Sequence, residues 1–347
     1  MESSTWSRWS YRLLLFFAFA TTASIAAQNA IWVAVLLWFF GRVRAGRKID
    51  WPRGLFPIGA MELTLAELRK LLAVFVGGTF VCAVYGVWKH MAGIEVRISS
   101  FSGYYLIFGG LMMCALLIIA HFLIQNPRQV RYWAALVAII PAFLLNETRG
   151  AWLAFAAGFA VLVWPKHRRL LAAGAVLALA GFFVLPGQLQ QRVQSIADWK
   201  DQPRLFIWDA GVRIIKDYPV FGIGQGNLGD IYPKYVSPEA REREHGHLHD
   251  NYLQIQVQNG LFGSAAYLFW ILAYFYAARR NAPAGGEMGS LNLLFVSLFA
   301  ASLVWGLTQY TFAHQFMYFQ AFLLGLQYRL WTLGKPSGSD PVQTAKA

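Results

Sequence analysis

HGHLHDNYLQIQVQNGLFG, residues 245–263, is the stretch on which the reading of this chain turns. Three histidines alternate with small or apolar residues, Asp250 and Asn251 follow, and the sequence then enters a long apolar run. The pattern places ionisable side chains where a polar loop re-enters a membrane. Charged or titratable groups at that depth are costly and mark function.

The composition agrees with a membrane protein. Of 347 residues, 57% are hydrophobic and 14% charged, whereas soluble domains carry roughly a quarter charged residues. The formal charge of +13 falls mostly in short segments between apolar runs. No soluble basic domain exists to carry nucleic acid, so no nucleic-acid partner is expected. Cys82 and Cys114 lie inside apolar runs and read as small buried hydrophobes. The first apolar run is followed at once by a second, which reads as a membrane hairpin and not a cleavable signal.

Apolar runs fall near 12–27, 30–41, 71–88, 103–124, 133–147, 151–164, 169–185, 258–278, 291–307 and 316–332. A spanning helix needs about 20 residues, and lipid-exposed backbone must satisfy its own hydrogen bonds. The expectation is an all-α polytopic membrane protein of about ten transmembrane helices. Residues 1–185 form an N-terminal transmembrane region, 186–257 one large loop, 258–332 a C-terminal transmembrane region, and 333–347 a disordered tail. Alternate loops are basic: Arg42 to Lys70, then Arg128 and Arg131, Lys166 to Arg169, and Arg279 and Arg280. The positive-inside rule puts those loops and both termini in the cytoplasm and the 186–257 loop outside.

Within that loop, Pro203 and Pro219 bracket a helix whose apolar face is Leu205, Trp208, Val212 and Ile215, with Asp209, Arg213 and Lys216 opposite. FGIGQGN, residues 221–227, misses the dinucleotide spacing because Asn227 stands where the third glycine is required. Its glycines serve a tight backbone path near a ligand or a helix end.

Two arginines stand out on the outer side. Arg149 occupies the short turn in LLNETRGAWLAF and Arg204 opens the loop helix. A guanidinium binds phosphate oxygens bidentately and keeps its charge; the bland alternatives are a snorkelling Arg149, or one paired with Glu147, and an exposed Arg204. The histidines admit three readings: a zinc site, solvated loop residues, or a general base. His249 is the best placed as base, since a helix beginning near Asp250 or Asn251 holds it neutral through the positive end of its dipole.

HLHDNYLQIQVQNGLFG resembles the signature of the O-antigen ligase and polymerase superfamily, with His249, Leu253, Gln254, Gly260 and Gly263 on the pattern. The turn Thr148 to Trp152 agrees, as does Arg204 followed by Trp208 and PVFGIGQGN. The resemblance covers roughly residues 140–270. It implies an inner-membrane glycosyltransferase with its active site facing the periplasm, metal-independent, inverting and without a cofactor. The donor would be an undecaprenyl-pyrophosphate-linked glycan. The acceptor would be lipid A-core in a ligase or another lipid-linked repeat unit in a polymerase. Carried over, Arg149 and Arg204 hold the pyrophosphate and His249 activates the acceptor hydroxyl. Arg213, His247, Asn251 and Gln254 are weaker substrate-binding candidates. The chain departs from the family in showing fewer spans than the usual twelve or so, in the segment DWPRGLFPIGAMELTLAELRK, and in the Asp250-Asn251 order. From another class, a lipid or polysaccharide transporter would instead bury its charges on broken helices at the bilayer midplane.

Overall fold

Helices form wherever the apolar runs are long, and in the computed structural model they pack as one all-α bundle with no strand among the described residues. Residues 11–19, 21, 63–101, 103–196, 203–240, 242–312 and 314–334 are described. The second apolar run, most of the DWPRGLFPIGAMELTLAELRK segment and nearly all of the polar tail therefore lie outside them.

The elements are α1 (Leu65–Met91), α2 (Tyr105–Gln125), α3 (Val130–Leu145), α4 (Arg149–His167) and α5 (Arg169–Val184). In the loop region lie α6 (Gly187–Gln194), α7 (Pro203–Asp217) and α8 (Leu228–Ile231), followed by a 3-10 turn at Tyr232–Lys234. The chain closes with α9 (Asn251–Arg280), α10 (Gly286–Trp305) and α11 (His314–Leu333). By length and apolar character α1, α2, α9 and α10 suffice to cross a membrane, and α3 and α5 are shorter apolar helices. Helix α2 is the centre of the bundle, buried almost throughout. Helix α5 buries no residue and exposes Val176, Leu177, Phe183 and Val184, as a lipid-facing helix would.

Thr64 caps α1 in a reciprocal box with Glu67, a motif worth about 1 kcal/mol. Arg69 and Lys70 consequently sit in the first turns of α1, not in the loop where their charge had placed them. Arg69 pairs with Glu287 at the start of α10, 2.9 Å away. Between α9, α10 and α11 a polar network is closed among apolar neighbours. Tyr274 Oη donates to Gln327 Oε1 at 2.7 Å, while Gln327 and Trp331 both donate to Asn292 Oδ1. In lipid such groups must find one another.

The loop region has its own small core of Ile207, Ala210, Ile214, Ile223, Leu228, Tyr232, Leu248 and Val257. The buried stripe of α7 is thus Ile207, Ala210 and Ile214. The expected face of Leu205, Trp208, Val212 and Ile215 is displaced, with Val212 41% exposed. Gly211 is the reason: it lets Leu248 press against the helix where a Cβ would meet Leu248 Cδ1 at 2.9 Å.

Helix α9 straddles the boundary drawn at 257/258 and breaks at Gly260 (φ 61°, ψ −157°). The glycine-rich segment after Pro219 crosses at that break. Ile223 N donates to Val257 O at 2.8 Å, Gly224 N to Gln258 O at 2.9 Å, and Leu261 N to Pro219 O at 3.0 Å. Carbonyls freed at the end of the first half and the amide freed at the start of the second are thereby satisfied. Gly222 (φ 67°) lies so close that a Cβ would stand 2.5 Å from Gln258 C. The glycines of FGIGQGN serve a helix end.

Candidate active site

One end of the bundle gathers the 92–104 loop, the 146–148 turn, α6, the start of α7, the histidine loop and the 306–312 turn. Asn146 fastens the first two together: its Nδ2 donates to Ile98 O at 2.6 Å and Tyr105 O at 2.8 Å. Glu147 beside it takes a left-handed backbone, φ 57°, an uncommon conformation for a residue with a side chain. This turn carries Arg149 to the first position of α4.

Four arginines from four segments converge there. Arg149 Nη1 donates to Ser195 O at 2.7 Å and to Ser195 Oγ at 2.9 Å. Arg192, on α6, stands 3.6 Å from Glu147 Oε2, so the acid once considered for Arg149 has Arg192 as its ion-pair partner. Arg97 donates to Asn146 O at 3.1 Å and lies over the Tyr105 ring at 3.9 Å. Arg204 completes the group. Burial lowers its pKa first, and the charges of Arg149, Arg97 and Arg192 lower it further, against a raising effect from Tyr105. Burial likewise lowers Arg97, and Arg192 adds to this, while Tyr105 and Glu147 work the other way. Like charges held in partly buried positions favour an anion between them.

His249 adjoins this cluster. Burial pushes its pKa down to about 4, with the Arg204 and His245 charges acting in the same sense and the Gln309 hydrogen bond opposing. Its backbone is left-handed, φ 53°, and Asp250 follows as N-cap of α9, accepting from Leu253 N at 2.8 Å. Asp250 is itself raised by burial, while its backbone bonds to Leu253 and Tyr252 oppose. The imidazole is therefore neutral near pH 7, the state that accepts a proton.

The weaker candidates separate. Asn251 and Gln254 are buried and brace the loop: Gln254 Oε1 accepts from Leu248 N at 2.7 Å, and Asn251 ties to the 306–312 turn. The Nε2 of Gln254 has no protein partner. His247 packs edge-on against His249 with ring centroids 4.1 Å apart. Arg213 pairs with Asp209 at 2.6 Å on the exposed side of α7, and is not brought into the arginine group. His245 is 3.0 Å from Glu242. Among the described residues no group of three His, Cys, Asp or Glu is arranged to hold a metal ion.

Arg97, Arg192 and Gln309 were not singled out in the sequence. The first two had a signal: the positive-inside rule leaves outer segments poor in cations, so each arginine there is worth noticing. Gln309 had none, since its role depends on a contact 60 residues away.

A family model described as O-antigen ligase matches residues 133–268, from within α3 to just beyond the break in α9. The match contains Glu147, Arg149, Arg192, Arg204 and His249; Arg97 and Gln309 fall outside it. No curated protein matches the chain.

Proposed function

We propose that this chain, whose residues 133–268 match a family model described as O-antigen ligase, is an O-antigen ligase of the bacterial inner membrane. It transfers a glycan from an undecaprenyl-pyrophosphate carrier to a sugar hydroxyl of lipid A-core on the periplasmic face. The supporting observation is the meeting of four guanidiniums and one neutral histidine at a single end of the bundle. The basic loops of the opposite end support an outer position for this one.

In the proposed reaction Arg149 and Arg204, joined by Arg97 and Arg192, bind the donor diphosphate. The acceptor hydroxyl attacks the anomeric carbon from the face opposite the carrier, and its proton passes to His249. The bond from that carbon to the carrier oxygen breaks, and the diphosphate leaves with the electron pair. Preorganised cations stabilise the charge that develops on the leaving group, and a base near the hydroxyl lowers the cost of making it a nucleophile. Inversion follows from a single displacement. His247 and Gln254 remain substrate-groove candidates, whereas the side chain of Asn251 is committed to Thr311 and that of Arg213 to Asp209.

A polymerase shares every element of this scheme except the acceptor. Deletion of the gene separates the two: rough lipopolysaccharide with accumulating lipid-linked polymer is expected. Core bearing only one repeat unit would instead identify a polymerase. Normal lipid-linked intermediates retained on the cytoplasmic side would identify a transporter.

A further inference from the structure

His249 is gripped from the far end of the chain. The 306–312 turn, between α10 and α11, is pinned to Asn251 at both ends. Asn251 N donates to Gly306 O at 2.7 Å, its Nδ2 donates to Thr311 Oγ1 at 2.7 Å, and its Oδ1 accepts from Thr311 N at 2.7 Å. Asn251 and Thr311 are each 1% exposed. Gln309 lies between the two pins, is itself buried, and holds its Oε1 3.2 Å from His249 Nδ1. An amide oxygen can only accept, so this contact is a hydrogen bond in the tautomer whose Nδ1 carries the hydrogen and whose Nε2 keeps its lone pair.

We propose that Gln309 is a positioning residue that selects the Nδ1–H tautomer of His249 and leaves Nε2 as the atom that takes the acceptor's proton. The inference rests on the reading of His249 as base. It also accounts for a carboxamide at this position. A carboxylate there would stabilise imidazolium and raise the titration midpoint of the base. A neutral acceptor orients the ring without that effect. The other charged and titratable groups around His249 are Arg204 from α7, His245 and His247 from its own loop, Asp250 with its carboxylate turned to Leu253 N, and Tyr310 from the 306–312 turn, whose ring is 6.0 Å from that of His247. Gln309 makes a side-chain hydrogen bond to the ring.

The test is nitrogen NMR on the full chain in detergent micelles, with 15N-histidine labelling and His249 assigned by comparison with His249→Ala. No substrate is needed. The wild type is expected to show the Nδ1–H pattern at His249. Gln309→Glu should raise the titration midpoint of His249 by about one pH unit or more, and Gln309→Ala should erase the tautomer preference. An Nε2–H pattern in the wild type, or a midpoint unmoved in Gln309→Glu, would overturn the proposal. Because the midpoint is read from folded molecules alone, partial misfolding of a variant does not blur it. A parallel assay of His249→Ala for surface polymer in the deletion strain isolates the underlying reading. Transfer retained in that variant defeats the base assignment whatever the tautomer; transfer lost with an unmoved Gln309→Glu midpoint defeats the positioning role alone.

Discussion

Gly260→Ala should destabilise the protein far more than an alanine in a helix ordinarily would. At φ 61° and ψ −157° the backbone occupies a region that is costly for a side-chain-bearing residue, by about 1–3 kcal/mol. The new Cβ would lie 2.1 Å from Val220 O and 2.6 Å from Phe221 N, so the crossing segment must retreat. That retreat strains the three hydrogen bonds binding Pro219, Ile223 and Gly224 to α9, each worth about 1 kcal/mol net. Losing two of them brings the total to roughly 3–5 kcal/mol, a large part of the roughly 5–15 kcal/mol that holds a typical domain together. The assay is thermal unfolding of the full chain in detergent, followed by size-exclusion chromatography. A fall in midpoint of about 5 °C or more is expected. Gly229→Ala is the control, since a Cβ there meets nothing within 4 Å, and should melt as the wild type does. A Gly260→Ala protein that unfolds with the wild type would refute the account of the break.

Three further outcomes concern the proposed reaction. Arg149→Lys retains charge but loses the planar guanidinium, whose Nη1 donates to Ser195 O and Oγ; transfer should drop about tenfold or more, and full activity would remove Arg149 from the site. Because His249 is held down at about 4 and acts in its neutral form, transfer should stay level from pH 8 to about 5. It should decline only as the pH approaches 4; an acid limb centred near the ordinary histidine value of about 6.5 would contradict the burial described. Treatment with EDTA should leave transfer intact, whereas a loss restored by zinc would return the three histidines to the role of metal ligands.

The all-α membrane bundle was legible because apolar length and basic-loop alternation are properties of segments, and survive errors of a few residues. His249 and its place before a helix were legible too, as Asp250 is a good N-cap and the apolar run follows directly. What could not be read was register. The buried stripe of α7 is set by Leu248 pressing on Gly211, a contact between distant parts of the chain that periodicity within residues 203–217 cannot reveal. Arg69 and Lys70 were assigned to a loop because their charge outweighed the Thr64–Glu67 capping signal beside them. The companions of Arg149 were hidden for a similar reason. Sequence shows that Arg97 and Arg192 exist, but only folding shows that they face the same space as Arg204.

That shared space has a thermodynamic consequence. Four cations from four separate segments oppose the closure of the loops that carry them, with Glu147 close to Arg192 offering partial relief. A ligand that binds only the assembled arrangement stabilises it in proportion to the logarithm of its occupancy. Under the proposed function, donor binding and the ordering of this end of the bundle are one linked equilibrium, and inorganic pyrophosphate, the head of the proposed carrier without its lipid, should be enough to stiffen it.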